Sequence, residues 1–161
     1  MRALLKVPSF SFITNFQDGF LPCPDLPHQP AMSIHNKVIH KHLHEVNEFL
    51  AGDHTRLREV LHPANDNVEL PYSLAHARLE PGAASLPHRL QKSDELYYFL
   101  EGRGALHVEE AVYPVQAGDA VLVPAGALQH LENTGQDQLT FLCIVSPPWS
   151  EAEEKVEQHR R

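Results

Sequence analysis

Two stretches decide how this chain folds: Gly82-Ala83-Ala84-Ser85-Leu86-Pro87-His88-Arg89-Leu90-Gln91-Lys92-Ser93-Asp94-Glu95-Leu96-Tyr97-Tyr98-Phe99-Leu100-Glu101-Gly102, and Gly118-Asp119-Ala120-Val121-Leu122-Val123-Pro124-Ala125-Gly126-Ala127-Leu128-Gln129-His130-Leu131-Glu132-Asn133. Each joins short apolar segments to glycines placed at turns. The glycines permit the positive φ angles that tight turns require. Pro124 can start a turn and cannot donate into a central ladder. Around these blocks, short apolar segments alternate with turn residues from Tyr72 onward. The spacing predicts strands over 73–80, 84–90, 95–101, 104–109, 111–115, 119–124, 128–133 and 138–146. Short strands at such regular intervals indicate an antiparallel sandwich or barrel. Period-two alternation then sends every second side chain inside.

The rest of the chain is less patterned. Residues 1–31 include Leu21-Pro22-Cys23-Pro24-Asp25-Leu26-Pro27-His28-Gln29-Pro30, with four prolines in ten positions. They are expected to form an extended leader. Residues 37–50 admit two readings. Ile39, Leu43, Val46 and Leu50 suit an amphipathic helix with His40 and His44 on one face, while Val38, His40, His42 and His44 alternate as in a strand. From Gly52 to Pro63, alternation separates Thr55, Leu57, Glu59 and Leu61 from Arg56, Arg58, Val60 and His62. This suits an edge strand, with the arginines either lining a barrel mouth or discouraging aggregation. The expected division is a leader over 1–31, one domain over 32–150, and a charged tail over 151–161 with a turn or two of surface helix.

The chain has 161 residues, enough for one real core. Thirteen basic and 21 acidic residues leave a net charge of −8, which argues against a general nucleic-acid binder. No apolar run approaches the ~18 residues of a membrane-spanning helix. Lys6, Pro8 and Asn15 interrupt any signal-peptide core, so none is expected. Cys23 and Cys143 are far apart and form no zinc-finger spacing, which favours a reducing compartment and a cytoplasmic location.

The two quoted blocks resemble the cupin superfamily. The first motif of that family, G-x5-H-x-H-x(3,4)-E-x6-G, is met by Gly82, His88, Glu95 and Gly102. The second, G-x5-P-x-G-x2-H-x3-N, is met by Gly118, Pro124, Gly126 and Asn133. The resemblance covers roughly residues 70–147. It implies an all-β jelly-roll barrel of about eight core strands and a homodimer. It also implies a divalent metal (Mn, Fe, Zn or Ni) held by four side chains. Carried over, those positions are His88, Leu90, Glu95 and Gln129, so two of the three imidazoles are missing.

Leu90 ligates nothing, and Gln129 offers only a neutral carbonyl. His130 lies one residue past the family position, and a one-residue offset turns a strand side chain to the other face. The candidate metal ligands are thus His88, Glu95 and Gln129, with His76 and His107 available for recruitment. The alternative is a His88–Glu95 pair that has lost its metal and hydrogen-bonds internally. Tyr97 shares the parity of Glu95 and is the candidate acid–base residue. Leu90, Phe99, His76 and His107 are expected to line the ligand pocket. The implied function is binding of a small molecule, a sugar or a carboxylate, at a degenerate metal site. The other implied function is a metal-dependent isomerase, dioxygenase or decarboxylase.

Overall fold

The computed structural model describes residues 38–157. The leader over 1–31 lies outside these residues, as does the end of the tail. Among the described residues eleven strands form two antiparallel sheets. The first sheet runs β1 (Glu48–Leu50), β2 (Arg56–Leu61), β3 (Ser73–Leu79), β10 (Leu139–Ser146), β5 (Asp94–Glu101) and β8 (Ala120–Val123). The second runs β11 (Glu154–Val156), β4 (His88–Leu90), β9 (Gln129–Asn133), β6 (Arg103–Val108) and β7 (Ala111–Gln116). This is the antiparallel barrel that the turn spacing indicates, in the jelly-roll arrangement that the cupin resemblance implies. Among the described residues no helix is long and apolar enough to cross a membrane.

Alternation builds the interior. β5 turns Glu95, Tyr97 and Phe99 inward, and β10 turns Phe141, Cys143 and Val145 inward, with Tyr97 opposite Cys143 and Phe99 opposite Phe141. Tyr97, Phe99 and Phe141 form an aromatic cluster with centroids 5.8 to 6.2 Å apart. Leu106, Leu131 and Leu139 close the core around them. Complete burial of side chains this large contributes about 1.5–3 kcal/mol each.

The motif glycine Gly102 and its neighbour Gly104 are there because strands pass too close for a side chain. A Cβ at Gly102, where φ is +81°, would stand 2.6 Å from the Gln138 carbonyl oxygen. At Gly104 it would stand 2.5 Å from that of Glu132. The motif asparagine serves the same end of the barrel. Buried Asn133 donates to the carbonyls of Leu79 (3.0 Å) and Asp137 (2.9 Å) and accepts from Gly135 N (2.9 Å). That satisfies backbone groups which the turn after β9 leaves unpaired.

Three expectations change. Of the two readings of 37–50, neither the helix nor the strand through Val38–His44 forms among the described residues 38–50. A single 3-10 turn, Leu43–Glu45, leads into β1, and His40, His42 and His44 are exposed with their rings in contact. Among the described residues of the tail, 150–157, no surface helix forms. Glu154–Val156 pair with β4, because buried Glu153 accepts from Ser93 Oγ at 2.7 Å and Glu157 N donates to the Pro87 carbonyl at 2.7 Å. The β-sheet therefore runs past residue 150. Finally, Arg56 and Arg58 do not line the mouth. They flank Glu48 outside the barrel, at 3.6 and 3.7 Å.

Glu48 ties β1 to the sheet. Arg78 of β3 grips its carboxylate with two hydrogen bonds, 2.7 and 2.8 Å long. Those hydrogen bonds and the three arginine charges outweigh partial burial and hold the Glu48 carboxyl at about 2. A depressed carboxyl contributes stability above its unfolded value and loses it as pH falls through the folded one. Glu48→Gln should therefore lower the melting temperature at pH 7. The gap from wild type should close between pH 4.5 and 2. Melting curves that keep a constant gap down to pH 2 would show that the ion pair contributes nothing.

Candidate functional site

A cavity of about 190 Å³ opens at the barrel end where β4, β5 and β10 meet the β1–β2 hairpin. β4 contributes His88 and Leu90, and β5 contributes Glu95 and Tyr97. The hairpin tip brings Asp53 and Thr55, while Cys143 comes from β10 and Glu154 from β11. The walls between them are apolar, with Leu57, Leu131, Phe141 and Trp149 among the lining residues.

The polar end centres on two buried groups. His88 Nε2 is 4.0 Å from Glu95 Oε2, and His88 Nδ1 donates to the Leu86 carbonyl at 2.9 Å. Asp53 Oδ2 lies 3.8 Å from the same Nδ1. Asp53 is itself held by Thr55, whose N–H donates to Oδ1 (3.0 Å) and whose hydroxyl donates to Oδ2 (2.7 Å). The hairpin tip is pinned by Leu86 N, which donates to the Asp53 carbonyl at 2.6 Å. Gln129, directly opposite His88 in register, donates from Nε2 to Glu95 Oε2 at 2.7 Å.

Burial disfavours a charge on His88. The Glu95 hydrogen bond and the charges of Glu95 and Asp53 overcome it and lift the imidazole to about 9. Burial likewise raises the Glu95 carboxyl, but His88, Cys143 and Tyr97 bring it below its usual value. Tyr97 and Cys143 are pushed well up by burial and by the Glu95 charge, so both stay protonated. Burial also raises Glu154.

The residues singled out in the sequence separate into three groups. His88, Leu90, Glu95 and Tyr97 line the cavity. Gln129, 1% exposed, stands beside Glu95 on the barrel interior, and Phe99 lies deeper in the aromatic cluster. His76 and His107 are elsewhere. His76 sits between inward Ala75 and Ala77 and so turns to the outer face of its sheet, opposite Arg58. His107 turns outward from β6 and stacks on His130 at 4.1 Å. Strand parity forbids both from the pocket.

Sequence reasoning missed Asp53, Glu154, Cys143 and Trp149. Cys143 was readable from its period-two relation to Phe141. Asp53 carried only a turn signal beside Gly52, and nothing local ties residue 53 to residue 88.

A protein-family model described as a cupin domain matches residues 75–145. An uncharacterised protein of Methanocaldococcus jannaschii is 32% identical over 120 residues, 74% of this chain and 95% of that one. The chain belongs to the cupin superfamily. Among solved cupin-like folds, a predicted oxalate decarboxylase of Thermotoga maritima superposes with a TM-score of 0.60 and 24% identity, over 68% of this chain and 99% of that one. A Streptomyces nucleoside dehydratase superposes with a TM-score of 0.62 and 17% identity, over 76% and 92%. At these identities the likeness is one of fold.

Members of the superfamily often hold a metal, and the donors of this cupin do not fit one. Leu90 and Gln129 stand where two imidazoles would be. Among the described residues no three His, Cys, Asp or Glu side chains are arranged to hold an ion. The Gln129 amide presents an N–H group, not its carbonyl, to Glu95.

The raised His88 value carries a sign. The imidazolium stabilises the fold fully below about 6.5, and that contribution is lost as pH rises through about 9. In Asp53→Asn the His88 midpoint, followed by NMR of the ring nitrogens, should move down toward 6.5. The stability difference from wild type should shrink between pH 6.5 and 9. An unmoved midpoint would mean that Asp53 does not act on His88.

Proposed function

We propose that this cupin binds a small, neutral, hydroxyl-rich molecule of the sugar class in its barrel cavity. The observation that carries this reading is the charge of the lining. Asp53, Glu59, Glu95 and Glu154 face the cavity, and His88 is the basic group among them. A carboxylate ligand brought within about 4 Å of one such charge would meet a repulsion of roughly 4 kcal/mol at an effective dielectric near 20. A hydroxyl both donates and accepts, so it can satisfy a carboxylate and an imidazolium together. The apolar walls of Leu57, Leu90 and Leu131 suit the C–H faces of a sugar ring. The two solved relatives named for oxalate and for a nucleoside differ in this respect, and the lining here favours the uncharged one.

A catalytic reading has one observation in its favour. A protonated imidazole and an ionised carboxylate lie 4.0 Å apart at the cavity wall, with the Tyr97 hydroxyl beside them. That is an acid and a base within reach of one ligand.

The test is thermal melting against pentoses, hexoses, pyrimidine nucleosides and oxalate. A neutral ligand at 100 times its dissociation constant should stabilise the protein by about 2.7 kcal/mol, roughly 5–10 °C at this size. The shift should vanish in Glu95→Gln. Stabilisation by oxalate and by none of the neutral compounds would overturn the reading. For any ligand found, exchange of its C–H hydrogens with D2O, lost in Glu95→Gln, would turn the binding protein into an enzyme.

A further inference from the structure

Glu95 has room for about four hydrogen bonds on its two oxygens. The structure surrounds it with Gln129 Nε2 at 2.7 Å, the His88 ring at 4.0 Å, the Tyr97 hydroxyl and the Cys143 thiol. A divalent ion would need one of those lone pairs and a neutral, free imidazole nitrogen. Here the imidazole stands between two carboxylates, Glu95 on one side and Asp53 on the other. Turning the Gln129 amide over would put its carbonyl against the Glu95 oxygen, acceptor facing acceptor, so the donor stays where it is. Its own Oε1 is left buried without a partner. Asp53 comes from outside the segment that matches the cupin domain. It reaches the site only because the β1–β2 hairpin folds over the barrel end.

We infer that the barrel site of this cupin works without a resident divalent metal: Gln129 and the hairpin-borne Asp53 hold the His88–Glu95 couple in the place an ion would take. Gln129 and Asp53 are positioning residues, acting through Glu95 and His88. This inference concerns the same site as the proposed sugar binding, and it stands on the donor set alone.

Metal content decides it. The tag-free full chain would be incubated in turn with Mn²⁺, Fe²⁺, Ni²⁺ and Zn²⁺, dialysed, and measured by plasma mass spectrometry. Wild type should retain less than roughly one ion per ten chains, and Leu90→His/Gln129→His should approach one per chain. One ion per wild-type chain that disappears in His88→Ala would overturn the inference. Should the double variant fail to fold, the wild-type and His88→Ala contents still decide. Ligand melting shifts form a second arm. They should be unchanged by EDTA, and a shift lost in EDTA and restored by one of the four ions would overturn the inference. If no sugar or nucleoside binds at all, the reading of the ligand fails while the metal content still answers this question separately.

Discussion

A carboxylate buried in the wall of a barrel must be surrounded by donors, or it costs more than the fold can bear. Glu95 is that carboxylate, and much of the barrel end is arranged around it. β9 delivers the Gln129 amide, β4 the His88 ring, β10 the Cys143 thiol, and β5 itself the Tyr97 hydroxyl two residues on. Each comes from a different register position, so the pairing of four strands has to be right at once. A one-residue slip in any of them would turn its donor outward and leave the charge unpaired. The polar centre therefore specifies the register as much as the aromatic cluster below it does.

The second organising feature is the hairpin that precedes the barrel. β1 is only three residues long and cannot hold its place by its ladder alone. The Glu48 carboxylate, gripped by Arg78 and flanked by Arg56 and Arg58, fixes it from the outside. The turn at Asp53 fixes it from the inside, through Leu86. With both ends held, the hairpin becomes a wall of the cavity and changes its charge. Asp53 adds a second acid to Glu95 beside the His88 imidazolium, and that arrangement disfavours an anionic occupant. The C-terminal strand does something similar from the other side, where Glu154 meets the Trp149 indole N–H at 3.3 Å.

How much of this was legible beforehand depends on range. Periodicity and turn residues located the barrel strands to within a few residues and set the inward parity of Glu95, Tyr97 and Phe99. These are local properties, since alternation is a feature of one strand read alone. The short element at 37–50 and the strand at 154–156 were not legible. Their conformation is imposed by the partners they pair with, and β11 exists because β4 presents an open edge to a tail anchored by Glu153. His76 and His107 show the converse error. Their residue type suggested ligands, while the parity of their own strands already pointed them out of the barrel.

The amino-acid sequence by itself determined an antiparallel barrel, and the resemblance of its two motifs to the cupin superfamily implied a metal set short of two imidazoles. Glycine spacing, a turn proline and period-two alternation act within a few residues and need no long-range information. Tertiary structure alone decided what fills the gap. Asp53 and His88 are 35 positions apart, and Glu95 and Gln129 are 34 apart. No periodicity links residues at such separations. Only the closure of two sheets and a hairpin over one end brings their charges within a few ångströms, where electrostatics can choose the occupant.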